Sequence, residues 1–200
     1  RTPVTMIAYA PFMSEATPDA SLTVNALTNQ STEENVKSSD FLLMKATVDP
    51  EQDLTADGKL KISLNHAMSK LIIKITVNGT TDASMSKLGD MAINGAVVNA
   101  TCDLSAAAPV VVPAADAVVA TVAPYKGTES CECILPPQKI AEGFSVNFSY
   151  DGKLYIWTAK EAIELEEGVE HTLTLNVNTT VRLAAKMARN WATGQLIDRN

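Results

Sequence analysis

Apolar and polar residues alternate along much of this chain, in short runs separated by turn-forming residues. Val4-Thr-Met-Ile-Ala-Tyr-Ala10 predicts a strand stopped by Pro11, and Ser21-Leu-Thr-Val-Asn25 alternates strictly and predicts a second. Asn29–Ser39 is polar and breaks no pattern, so it reads as a surface connection. Asp40-Phe-Leu-Leu-Met-Lys-Ala46 is a short apolar run of strand length, and polar Asp49–Lys59, with a Pro and a Gly, is the natural place for a linker or long loop.

The longest β-type run is Lys59–Gly79, and it changes parity. Ile62, Leu64 and Met68 occupy even positions with His66 among them, whereas Leu71, Ile73, Ile75 and Val77 occupy odd ones. A strand changes face only through an extra residue or a break. A β-bulge or sharp bend near Ser69-Lys70 is therefore expected, with the even set buried on one surface and the odd set on another. Asn78-Gly79 supplies the following turn.

Further on, Met91-Ala-Ile-Asn-Gly95 and Val97-Val-Asn-Ala-Thr101 predict a hairpin around Asn94-Gly95. Ser105–Thr121 is rich in Ala, Val and Pro and predicts a loop holding short strands at Val110–Val112 and Ala117–Ala123; Pro109 and Pro113 argue against a helix. Cys131–Leu135 predicts a strand ended by Pro136-Pro137. The clearest hairpin is Gly143–Ala159, turning at Asp151-Gly152, which sets Phe148 opposite Tyr155 and Val146 opposite Trp157. His171, Leu173, Leu175 and Val177 alternate along the next strand. Val181–Trp191 reads as a strand by period two, with helix as the alternative by propensity. Many short strands with turns between them predict an all-β sandwich.

Composition narrows the class. The chain has 200 residues, 46% hydrophobic but only 5% aromatic, so its core is mainly Val, Ile, Leu and Ala. Net charge is −7 with no basic cluster, which removes the electrostatic footprint of a nucleic-acid binder. No apolar run reaches the length of a membrane helix, and no signal peptide is present; the start at Arg1-Thr-Pro is that expected of a mature or trimmed chain.

Candidate chemistry is sparse. Cys102, Cys131 and Cys133 are odd in number, which fits no disulfide framework. They are expected as small buried thiols, with one bridge to Cys102 as the alternative. A metal site at Cys131 and Cys133 has only the remote His66 and His171 to complete it. Glu161, Glu164, Glu166 and Glu167 lack the spacing of a calcium loop and predict a solvated face. His66, on a mostly apolar stripe, is expected to be a hydrogen-bonded core histidine. No nucleophile elbow, zinc motif or phosphate loop occurs, so no catalytic, cofactor-binding or metal residue is assigned and no enzyme activity is expected. Asn-x-Ser/Thr triplets at Asn29, Asn78, Asn99, Asn147 and Asn178 matter only in a eukaryotic secretory host. Tyr150, Tyr155 and Trp157, three aromatics at strand spacing, leave a carbohydrate-binding module as the alternative to core packing.

Several stretches taken together resemble the fimbrillin family, the type V pilins of Bacteroidales-type bacteria. His66-Ala-Met-Ser-Lys-Leu-Ile-Ile-Lys-Ile75 is similar to the family's His-Ala-x-Ser-Lys core followed by β-branched residues. Met6-Ile-Ala-Tyr-Ala-Pro-Phe12 resembles its Ala-Tyr-x-Pro strand, and Ser39-Asp-Phe-Leu-Leu-Met-Lys-Ala46 its Ser-Asp-Leu-Leu segment. Ile134-Leu-Pro-Pro-Gln138 resembles its Leu-x-Pro-Gln element. Leu165–Leu175 resembles its Gly-Lys-x-Tyr strand, with Val169 and His171 in place of Lys and Tyr. Trp191 and Gly194 match the terminal Trp-x-x-Gly.

The resemblance implies a transthyretin-like Greek-key β-sandwich: residues 1–58 closing a first sandwich and 59–200 forming a complete second one. It implies a fimbrial or adhesion subunit without catalysis or cofactor, made as a lipoprotein precursor, exported to the outer membrane and displayed at the cell surface. It also implies partners among other fimbrial subunits, joined by donation of a terminal strand to an open sheet. Host or bacterial surface ligands are further partners of such a protein. The lipidated start and early strands of the family are missing here, and only Ala192–Asn200 follows the last tryptophan, so tip, anchor and accessory roles stand beside that of a stalk. The open edge is expected along Met6–Ala10 or Phe41–Ala46, with Val181–Trp191 closing the second sandwich.

Overall fold

Leu22 and Val24 are buried while Ser21, Thr23 and Asn25 face solvent, so the strictest alternation in the sequence does become a half-buried strand. The computed structural model describes residues 2–14, 17–79, 83–178, 189–191 and 194–199, the last two stretches by backbone alone. Strand β1 (Val4–Ala10) is followed by β2 (Ser21–Asn25), helix α1 (Glu33–Ser38), β3 (Leu42–Val48), β4 (Asn65–His66) and β5 (Ser69–Val77). Then come β6 (Leu88–Val97), β7 (Asn99–Asp103), β8 (Val111–Pro113), β9 (Val119–Val122), β10 (Tyr125–Lys126) and β11 (Cys131–Leu135). The chain continues with β12 (Gln138–Ile140), β13 (Ser145–Tyr150), β14 (Lys153–Ala159), β15 (Ile163–Leu165), β16 (Glu170–Val177), β17 (Arg189–Trp191) and β18 (Gly194–Arg199).

These strands build an all-β sandwich. One layer is β10-β11-β5-β16, in which β16 lies parallel to β5 from Glu170↔Lys70 to Val177↔Val77. The other is β17-β18-β14-β13-β6-β9. Smaller sheets, β1-β3-β4, β2-β7-β8 and β12-β15, flank them. The inner faces meet in one contiguous core that joins Leu71, Ile73 and Leu175 to Ile93, Val146 and Phe148 and extends to Leu22 and Phe41. Backbone pairing crosses residues 58 and 59 at β2–β7, at β3–β4 and at the bridges Asn29↔Ala123 and Leu54↔Leu60. Among the described residues no helix is long and apolar enough to cross a membrane.

The hairpin of β13 and β14 has the expected register, Phe148↔Tyr155 and Val146↔Trp157. Its turn residues take positive φ, 52° at Asp151 and 77° at Gly152, as a two-residue turn matched to strand twist requires. Phe148 stacks on Tyr155 with centroids 5.5 Å apart, and Phe144 meets Trp157 edge-on at 6.2 Å.

The parity change in the central run is also present, two residues earlier than expected. Ala67 and Met68 are consecutive and both buried, and between them the chain passes from the β1-β3-β4 sheet into the main sheet. The expected burial of the even set fails for its first half. Ile62 is 46% exposed and Leu64 only half-buried, because residues 61–64 have no partner strand. Alternation there met no surface to pack against.

Three other expectations are corrected. Asn29–Ser39 holds α1, a short helix begun by Thr32, whose side chain accepts from the Asn35 N–H; Val36 anchors its buried side. Asn94-Gly95 makes no hairpin: β6 runs on through it with a register shift between Asn94 and Ala96, and only at Val98 does the chain leave for the sheet of β7. His66 is not in the core: its side chain is 66% exposed. Of Val181–Trp191, Arg189–Trp191 is strand and residues 181–188 lie outside the described ones.

Candidate assembly edge and its neighbouring clefts

Strand β1 is built of residues that fit a pleated surface, and it pairs with β3 from Val4↔Val48 to Ala10↔Leu42. It ends its sheet, so among the described residues its other backbone edge faces no strand. The face carrying Ile7 and Tyr9 packs against the core; Tyr9 lies 6.1 Å from Phe41, and its hydroxyl donates to the Met13 carbonyl. Val4 at its start and Phe12, two residues beyond its end, are 51% and 86% exposed.

On that same face a cleft of about 430 Å³ opens beside Thr5, Ile7 and Tyr9, closed by Pro18, Asp19 and Leu104. Lys45, opposite Ile7 on β3, crosses its floor. Its ammonium donates to the carbonyls of Leu104 at 2.8 Å and Ala106 at 2.7 Å, so it presents its aliphatic stem to the cleft. These bonds also tie β3 to the β7–β8 connection.

Two other places where a neighbouring strand stops short are filled by glutamine amides. Gln30, fully buried, donates to the Ile134 carbonyl at 2.8 Å and accepts from the Ile134 N–H at 2.8 Å, continuing the ladder that β10 begins on β11. Gln138 does the same at Val97, with both bonds at 2.9 Å, beyond the point where β13 ends on β6. A side-chain amide has the donor and acceptor of a peptide unit and closes an edge as one. Sequence reasoning reached Gln138 only as part of a motif and passed over Gln30, since nothing local marks either as a peptide mimic.

The motif residues of the central run meet at a second cleft, of about 310 Å³. Asp40, at the end of α1, accepts from the Phe41 N–H and lies 2.6 Å from His66 Nδ1. Lys70 bridges Glu132 of β11 at 2.9 Å and Glu170 of β16 at 3.4 Å, and the Glu132 carboxylate beside it raises its pKa. The 166–169 turn clasps this crossover: Ser69 Oγ donates to the Glu166 carbonyl and the Gly168 N–H to the Met68 carbonyl. Gly168 has φ +67°, and a Cβ there would stand 3.0 Å from the His66 carbonyl oxygen, so glycine is required for the close approach.

The remaining candidates stay apart. Tyr150, Tyr155 and Trp157 are all buried, which removes the stacking platform a sugar would need. Cys102, Cys131 and Cys133 are buried and unbridged; burial raises the thiol pKa to about 11 at Cys102 and Cys131 and to about 12 at Cys133. Cys131 and Cys133 do share a face, as their spacing predicts. His171 Nε2 accepts from the Glu166 N–H at 2.9 Å. Burial raises the pKa of Glu167. Among the described residues no three His, Cys, Asp or Glu side chains gather as a metal site.

Comparison with solved structures returns the same fold at low identity. A proposed cell adhesion protein of Bacteroides uniformis superposes with a TM-score of 0.66 at 16% identity, over 98% of this chain and 71% of its own. A second, from Bacteroides ovatus, gives 0.62 at 16% over 98% and 66%. A third, from Bacteroides thetaiotaomicron, gives 0.53 at 17% over 94% and 72%. This chain thus spans about two thirds to seven tenths of these proteins. No curated protein matches it. Residues 1–190 match the fimbrillin-like family, and with nearly its whole length so matched the chain belongs to that family.

Proposed function

We propose that the chain is a structural or adhesion subunit of a bacterial surface fimbrium, that it joins its neighbours by β-strand addition, and that β1 is its accepting edge. The observation that carries this is the contrast between edges. Gln30 and Gln138 close gaps in the ladders of β11 and β6, whereas among the described residues β1 keeps a free edge beside a 430 Å³ cleft. An added strand would point alternate side chains to the face of Thr5, Ile7 and Tyr9, and so into that cleft.

In this reading residues 1–58 close a first sandwich laid against a second made by 59–200, with β2–β7 and β3–β4 among the pairings between them. The subunit is exported as a lipoprotein precursor to the outer membrane and displayed as tip, anchor or stalk. Its role in this reading is structural rather than catalytic, and the three buried thiols are poor nucleophiles.

Hydrogen exchange tests the edge. Backbone amides of Val4–Ala10 that point away from β3 exchange fast in the isolated subunit and slow in assembled fimbriae. Equal exchange along β1 in both states would refute strand addition there.

A further inference from the structure

The cleft at the crossover is distinct from β1, and its chemistry selects a ligand. Its floor is apolar: Val36 of α1, Met68 before β5 and Ile134 of β11, with Val169 as an exposed lip. Its rim carries Glu33, Asp40, Glu132 and Glu170 against two lysines, Lys70 and Lys37, the latter paired with Glu33 at 2.7 Å. Lys70 is shared between Glu132 and Glu170, and Glu170 remains 64% exposed. Asp40 lies 2.6 Å from His66 Nδ1, so four carboxylates face two lysines and one imidazole. The rim is therefore net negative.

That combination excludes most ligand classes. An anion meets four carboxylates. A sugar finds no aromatic ring among the lining residues. A metal ion finds no group of three suitable ligands among the described residues. An apolar side chain next to a positive charge satisfies both floor and rim, and about 310 Å³ is at the small end of binding pockets, room for a short anchor.

The geometry points to this cleft as a docking site for a partner protein segment that presents an aliphatic side chain beside a lysine or arginine. Floor contacts hold the aliphatic group, and Glu170, the more exposed of the two carboxylates that share Lys70, holds the cation. The site works in the single subunit and does not depend on strand addition at β1.

The test is methyl NMR on the monomeric protein, following Val36, Met68, Ile134 and Val169. The probes are N-acetyl-leucyl-arginine amide, the corresponding leucyl-glutamate and glycyl-arginine compounds, and maltose. Leucyl-arginine amide shifts these methyls saturably. Leucyl-glutamate binds about tenfold more weakly, since it exchanges attraction for repulsion at the rim. Glycyl-arginine, lacking the anchor, leaves the methyls in place. Glu170→Lys, a surface change, weakens leucyl-arginine binding and restores leucyl-glutamate. The inference is overturned if leucyl-arginine amide moves none of these methyls, if leucyl-glutamate binds as tightly, or if maltose produces the same shifts.

Discussion

Gln30 and Ile134 stand 104 residues apart in sequence and are joined by two bonds of 2.8 Å, one in each direction, between a side-chain amide and a backbone peptide. The same Gln30 amide nitrogen also donates to the Leu27 carbonyl. One side chain thus does for β11 what a further residue of β10 would do, and it anchors the approach to α1 against the main sheet.

Replacing Gln30 by Leu leaves the Ile134 N–H and carbonyl buried without partners. Each such group costs about 1–3 kcal/mol, so a loss of roughly 3 kcal/mol is expected. Urea unfolding measures it. A midpoint unchanged from wild type would show that the edge at Ile134 is satisfied in some other way.

Gly152 has φ +77° with open space around the position of a Cβ. Gly152→Val therefore meets backbone strain rather than a clash, worth about 1–2 kcal/mol. In a chain of this size that lowers Tm by about 2–4 °C per kcal/mol. Gly152→Asn, which tolerates the left-handed region, recovers part of the loss. Equal Tm for wild type and the valine variant would contradict the Asp151-Gly152 turn.

All three cysteines are buried and their pKa values are raised by burial. Since the thiolate is the nucleophile, the native protein should resist iodoacetamide at neutral pH. Unfolding in guanidinium without reductant should then release three reactive thiols. Fast labelling of the folded protein, or fewer than three thiols after unfolding, counts against this arrangement.

Lys70 holds its proton more tightly in the folded chain than in the unfolded one, chiefly because of Glu132. A raised lysine pKa contributes stability that is fully present below the unfolded value, near 10.4, and is lost as pH rises through the folded one. Lys70→Met should therefore flatten part of the fall in stability above about pH 10.4. Identical alkaline profiles for variant and wild type would mean the triad with Glu132 and Glu170 is loose in solution.

What the sequence determined by itself was the local periodic structure. Strands β1, β2 and β11, and the hairpin of β13 and β14 with its aromatic pairs, are legible because alternation, turn chemistry and two-residue spacing are properties of a few consecutive residues. The parity change before Leu71 was legible for the same reason. Its consequence was not: alternation at Ile62 and Leu64 looks like that at Ile73 and Ile75, but only the second pair has neighbouring strands to cover it. α1 carries a readable cap at Thr32, yet its polar surface hid the one residue, Val36, that holds it in place. His66 sits among apolar residues in sequence and beside Asp40 at the surface in space. Which strand each element pairs with, which edge Gln30 or Gln138 fills and which edge stays free depend on residues tens of positions away. Only tertiary structure decides them, because backbone hydrogen bonds are satisfied between strands while hydrophobic pattern is written along one.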